Sequence, residues 1–216
     1  GPVDSSNTVA TKQYVDSVTA GINWHQSVSY ATAAALPNSP SYADGTTDAN
    51  GGLGIGAKLT ATTYGRLQID GANASDNQRV LVKNQANAIH NGIYDVTTQG
   101  SASVYWEIVR ASGEDNSIAG EVKTGDASYV TPGGTVNGGQ GFILSSAGSL
   151  SQNVFLLGTD ELTFTQFTGT SAFVSGNGLV TTGNTVDIVS ADSGRIVVSA
   201  DSIDLATVTQ TNSTGS

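Results

Sequence analysis

The sequence predicts a mainly β protein with a short N-terminal helix, and three observations carry that prediction. Its 216 residues include 27 glycines but only 4 prolines, set among abundant Ser, Thr and Asn, as in chains of many short strands joined by turns. Apolar residues make up 38% of the chain and arrive in brief bursts that often alternate with polar ones, the pattern of half-buried strands. Disordered chains of similar polarity lack such β-branched and aromatic bursts and carry dense charge, whereas charged residues here are 12%. Length fits one large β domain or a medium domain with an appendage, and composition divides the chain into residues 1–23, 24–168 and 169–216.

Gly1-Pro2 looks like the pair left by a tag-removing protease, so the first residues are set aside from fold reasoning. From Asn7 to Gly21 about two turns of helix are predicted. Ser6, Asn7 and Thr8 supply a capping start, no Gly or Pro interrupts the interior, and Val15, Val18 and Ile22 are spaced as on a heptad seam. So short a helix is marginal alone in water, because nucleation costs more than a few propagation bonds return. It packs either on its own domain or, as the last turns of a coiled coil, on copies of itself.

Between Trp24 and Thr168 the signals are β, and the many short strands suggest a β-barrel or sandwich-like domain. Ala31 to Leu36 has room for one helical turn before Pro37, and Pro37 to Gly56, rich in Gly, Asn, Asp and Ser, reads as the longest loop. Arg79-Val80-Leu81-Val82-Lys83 and Ile93-Tyr94-Asp95-Val96 are apolar bursts, and the turn-forming residues from Asn84 to Gly92 join them into a hairpin. In the strand expected over Val104 to Arg110, Val104, Trp106 and Ile108 share one face, while Tyr105, Glu107 and Val109 share the other. Trp106 is therefore expected inside and Tyr105 outside. Further strands are expected at residues 127–131, 141–145, 154–157 and 162–167, separated by Pro132-Gly133-Gly134, Asn137-Gly138-Gly139 and Gly158-Thr159-Asp160.

After Gly169 a repeat appears. Thr185-Val186-Asp187-Ile188 matches Ser202-Ile203-Asp204-Leu205, and Leu179-Val180 matches Ile196-Val197 at the same offset. Each unit is an apolar pair, a polar turn and an alternating strand. An isolated two-stranded ribbon is barely stable, so the missing surface comes from elsewhere, most simply from three identical chains around an axis.

Composition also removes function classes. Lys and Arg total 8 against 18 Asp and Glu, a net charge of −10, which disfavours nucleic acid and anionic membranes because no basic stripe displaces counterions from phosphates. No apolar run is long enough to cross a bilayer. The chain has no cysteine, so disulfides, thiolate metal sites and cysteine nucleophiles fall together. His25 and His90 are not near a Gly-x-Ser-x-Gly elbow and read as hydrogen-bonded structural histidines. Glu107, Glu114, Asp115, Glu121, Asp126, Asp160 and Glu161 are the carboxylates a glycosidase pair would draw on, but most stand in turn-like surroundings and sequence does not pair them.

The run from Asp44 to Gly51 misses the register and the closing glutamate of a calcium loop and reads as a flexible polar loop. Gly51 to Gly56 and Gly133-Gly134 lack the Lys-Ser/Thr of a phosphate cradle. No catalytic residue, metal or cofactor is therefore assigned. Recognition of a sugar or protein needs exposed rings; Tyr42 and Tyr64, in or beside polar loops, and Tyr105, on an outward strand face, are the candidates.

Arg79-Val80-Leu81-Val82-Lys83-Asn84-Gln85, then His90-Asn91-Gly92-Ile93-Tyr94-Asp95-Val96, then Trp106 with Arg110-Ala111, is similar to a module that recurs in tail-fibre and other appendage proteins of tailed bacteriophages. Ala10-Thr11-Lys12-Gln13-Tyr14-Val15-Asp16 looks like the stalk segment that often precedes it. Ser175-Gly176-Asn177-Gly178-Leu179 with Gly183-Asn184-Thr185-Val186 looks like the short shaft repeat that often follows. The resemblance covers most of the chain and rests on the order of these motifs. It implies β-structured shaft repeats in a trimeric fibre: a homotrimeric, non-enzymatic virion part, joined to other tail proteins and attaching to a polysaccharide or protein of the bacterial surface. It carries no catalytic residue across and fixes no receptor contact. A capsid fibre or decoration protein, a surface adhesin and a polysaccharide-cleaving spike are the competing classes.

Overall fold

A computed structural model of the chain describes residues 22–168 and the strand segments 179–182, 185–188, 196–199 and 202–205. Gly1-Pro2, the helix expected over residues 7–21 and the shaft-like residues 175–178 and 183–184 lie outside the described residues. Two compact units divide the chain, Gly1–Gly169 and Thr170–Ser216.

The first unit opens with strands β1 (Asn23–Trp24), β2 (Tyr30–Ala31), β3 (Ser41–Ala43) and β4 (Lys58–Thr60). A small ribbon of β5 (Gln68–Ile69) and β6 (Ala72–Asn73) precedes β7 (Arg79–Val82), β8 (Gly92–Thr98) and β9 (Glu107–Arg110). Strands β10 (Asp126–Tyr129), β11 (Gly141–Leu144) and β12 (Phe164–Thr168) complete it. Six strands form one sheet in the order β2-β7-β8-β9-β4-β3, and four form another in the order β1-β10-β11-β12. Helix among the described residues is limited to 3-10 turns at Ala88–His90 and Ser151–Asn153.

The β7–β8 hairpin lies inside the six-stranded sheet, between β2 and β9. Val80 pairs with Tyr94 and Leu81 with Ile93, so successive residues face opposite sides. Val80, Val82, Tyr94 and Val96 join Leu59, Trp106 and Ile108 in one cluster, while Leu81 and Ile93 join Val28, Val130 and Phe142 in another. Burial on both faces explains why residues 80–82 are continuously apolar instead of alternating. The second cluster joins the two sheets, with Phe142 supplied by β11. A third, of Val122, Leu144, Phe155, Leu157 and Leu162, adjoins it through Phe164. Each fully buried Leu or Phe in these clusters stabilises the unit by roughly 2 kcal/mol.

Four expectations are corrected. After β2, residues 32–35 bend and do not wind into a helical turn. The Thr32 amide donates to the Leu81 carbonyl, and its hydroxyl accepts from the Lys83 amide and donates to Asn84, so the segment runs on beside β7. Residues 37–56 are not one loop, since β3 pairs with β4 and Thr46 bridges to Ile55. Within them, residues 44–51 are ordered around the buried Asp48 carboxylate, which accepts from the amides of Asn50, Gly52 and Gly54 at 2.8, 2.9 and 3.3 Å; such Asx turns replace ladder bonds locally.

Residues 154–157 form no strand: Val154 bridges to Lys123, and Phe155 and Leu157 plug the third cluster. A short apolar burst does not by itself distinguish a strand from buried coil. Finally, β9 begins only at Glu107, and Val104 is exposed, because residues 101–104 close a tight turn in which the Ser101 amide donates to the Val104 carbonyl at 2.9 Å.

The second unit contains two antiparallel hairpins, β13 (Leu179–Thr182) with β14 (Thr185–Ile188) and β15 (Ile196–Ser199) with β16 (Ser202–Leu205). Their registers correspond: Leu179 faces Ile188 as Ile196 faces Leu205, and Thr182 faces Thr185 as Ser199 faces Ser202. The sequence repeat is thus a repeat of hairpins.

Candidate functional site

Trp106 is fully buried in the first cluster, and the preceding Tyr105 is consequently turned outward, 43% exposed. Tyr64, 55% exposed, stacks on it with ring centroids 4.4 Å apart and planes 23° apart. Two of the three candidate tyrosines therefore form one aromatic platform. A side-chain hydrogen bond to Tyr64 holds the Tyr105 phenol above its ordinary pKa, because a phenol that donates its proton is favoured in the protonated form.

A single amide fixes both halves of the platform. Asn38 Oδ1 accepts from the Trp106 indole Nε1 at 3.0 Å, while Asn38 Nδ2 donates to Thr63 Oγ1 at 3.1 Å and to the Tyr64 carbonyl at 3.4 Å. The Thr62 hydroxyl donates to the carbonyls of Asn38 and Ser39. Asn38 has φ 63°, a left-handed conformation that asparagine tolerates better than most residues. Gly100 completes the junction: a Cβ there would run into the Gly65 carbonyl and Trp106. Exposed Thr62, Thr63, Ser101, Ser103 and Val104 belong to the same two segments, and nearby Arg66 is hydrogen-bonded to Gln99 and the Ala74 carbonyl. The platform is therefore rigid from behind, and its rim is mostly hydroxyl.

Tyr42 is placed differently. It packs against the first cluster, stacks on His90 at 4.2 Å, and its hydroxyl is buried. Burial lowers the His90 pKa. His25 is bound between two carboxylates, with Nδ1 2.7 Å from Glu114 and Nε2 3.2 Å from Asp126. Burial opposes the imidazolium, but the hydrogen bonds to Asp126 and Glu114 outweigh it and push the pKa up to about 10. His25 is thus held by ion pairs, and His90 by the Tyr42 ring and a hydrogen bond with Asn87.

Glu114 and Asp126 are the two candidate carboxylates that meet, and they meet on His25 with side chains only 8% and 7% exposed. Glu107 is paired with Lys58 at 3.0 Å, Asp115 accepts from the Ser117 amide, Glu121 takes the Ser117 hydroxyl, and Asp160 accepts from Ser149 and Leu156. Among the described residues, no group of three His, Cys, Asp or Glu side chains is arranged to hold a metal ion.

Asn38 is the site residue that the sequence reading passed over. The local signal was Asn38-Ser39-Pro40, a turn signature, which marks a bend but not what its amide will reach. No family model, no curated protein and no solved structure matches the chain.

Proposed function

We propose that this chain is a non-enzymatic, homotrimeric structural segment of a phage tail fibre or related virion appendage, engaged in attachment to the bacterial surface through Tyr64 and Tyr105. The observation that carries the adhesive part is the stacked, exposed pair held from behind by Asn38 and Trp106. An exposed ring accepts the C–H face of a sugar or an apolar side chain, while its hydroxyl and a hydroxyl-rich rim supply hydrogen bonds. Rigid positioning avoids the entropy cost of ordering the contact at binding. Single contacts of this size are weak, and three copies on one appendage add through avidity.

The assembly part is supported by the two hairpins, since ribbons of two four-residue strands are barely stable without further partners. The motif resemblance supports the virion assignment and the contact with other tail proteins. The test is retention of the intact protein on immobilised bacterial surface polysaccharide. Tyr64→Ala and Tyr105→Ala are expected to weaken it at least tenfold while leaving the thermal midpoint nearly unchanged. Undiminished retention by both variants defeats the site.

A further inference from the structure

The other aromatic surface of the first unit is the face of the four-stranded sheet turned away from the core. Register places Trp24, Ala127, Ile143 and Thr165 in one row across β1, β10, β11 and β12. Phe142 and Phe164, of opposite parity, point inward to the clusters. Two residues along from Ala127, Tyr129 shares this face, and Phe167, left unpaired by a bulge opposite Gly141 and Phe142, is brought to it by its contact with Trp24. Phe167 lies 5.6 Å from Trp24, and a Cβ on Gly141 would meet its ring, so the glycine leaves the ring room to lie on the sheet. Trp24 remains 54% exposed and Tyr129 39%. No charged residue stands among these six.

We propose that a second copy of this chain covers this face. The proposal deepens the self-assembly half of the function proposed above and rests on it. The face is built by the first and last strands of the unit, β1 and β12, with β10 and β11 between them. The seam Val15, Val18, Ile22 runs directly into Trp24 in sequence, and Ile22 is 43% exposed. Among the described residues, strand β12 is moreover an open edge of five residues, Phe-Thr-Gln-Phe-Thr, with neither charge nor proline, the kind of edge that pairs with another chain unless something blocks it.

Chemistry discriminates among occupants. A glycan needs hydrogen-bonding side chains, and this face offers the Thr165 hydroxyl and the Tyr129 phenol at its margins. An uncharged aromatic face on a chain of net charge −10 suits a copy of itself, because apolar burial brings no further like charge into the contact.

The test is light scattering on the full chain and on Trp24→Glu/Phe167→Glu, with pyrene attached through Thr165→Cys or, as a control, Thr47→Cys, since the chain has no cysteine of its own. Thr165 and Thr47 are both exposed. The full chain is expected to be multimeric, the double variant at least tenfold weaker in assembly, and excimer emission present at position 165 but absent at 47. If the double variant fails to fold, the excimer comparison decides alone. A multimeric chain that tolerates the double substitution and shows no excimer at 165 overturns this face only; a monomeric full chain overturns the face and the trimer together.

Discussion

Asn38 carries more of the site than either tyrosine, because its one amide serves the Trp106 indole, Thr63 and the Tyr64 carbonyl. Asn38→Ala removes the hydrogen bond that the Trp106 indole donates to its side chain and places alanine at φ 63°. An orphaned buried donor costs about 1–3 kcal/mol, which at this chain length lowers the thermal midpoint by about 2–12 °C. Sugar retention should fall as well, since Tyr64 loses its tether; calorimetry beside the binding assay checks both. An unchanged midpoint removes Asn38 from the account. The sequence revealed the inward Trp106 and outward Tyr105, because a period of two leaves neighbouring residues on opposite faces. It could not reveal Asn38, whose partners lie as far as residue 106, or the stacking of Tyr64 on Tyr105, which only folding brings about.

At the scale of the element, β1 poses the sharper physical problem. It is two residues long and pairs in parallel with β10, too short for its ladder alone to secure it. Side chains complete the attachment: Asn23 Nδ2 donates to Asp126 at 2.8 Å, and His25 bridges Asp126 and Glu114. Because the folded pKa of His25, about 10, lies above its ordinary 6.5, its stabilisation is fully present below about pH 6.5 and is lost as pH rises through about 10. Burial pushes Glu114 upward, opposed by His25, while Asp126 raises it further and Arg79 lowers it.

His25→Ala leaves two carboxylates close together without their cation and is expected to cost about 3 kcal/mol near neutral pH. Urea unfolding of both proteins at a series of pH values should show that deficit shrinking between pH 7 and 11; a deficit that grows instead contradicts the charged clasp. Element existence was legible where a burst met a turn signal, as in β7 and β8. It failed at residues 37–56 and 154–157, where the Asp48 carboxylate and buried Phe155 and Leu157 organise backbone without a long ladder.

At the scale of the whole molecule the two units differ in build: the first has clusters that close on themselves through residues 28–162, whereas the described residues of the second form two hairpins, each of two strands. A structure completed by partner copies is stabilised by mass action, so its midpoint rises with protein concentration, whereas a self-contained domain melts at a fixed temperature. Full-length protein followed by far-ultraviolet circular dichroism over about a hundredfold range of concentration should therefore show a component of its β signal that melts later as concentration rises. A chain ending at residue 168 should lose that component and keep the remainder, because, among the described residues, none of the three clusters draws on residues beyond Phe164. Melting that is independent of concentration in the full chain, with no component lost on truncation, would mean that the hairpins complete themselves within one molecule, and the argument for a trimer would then rest on motif resemblance alone.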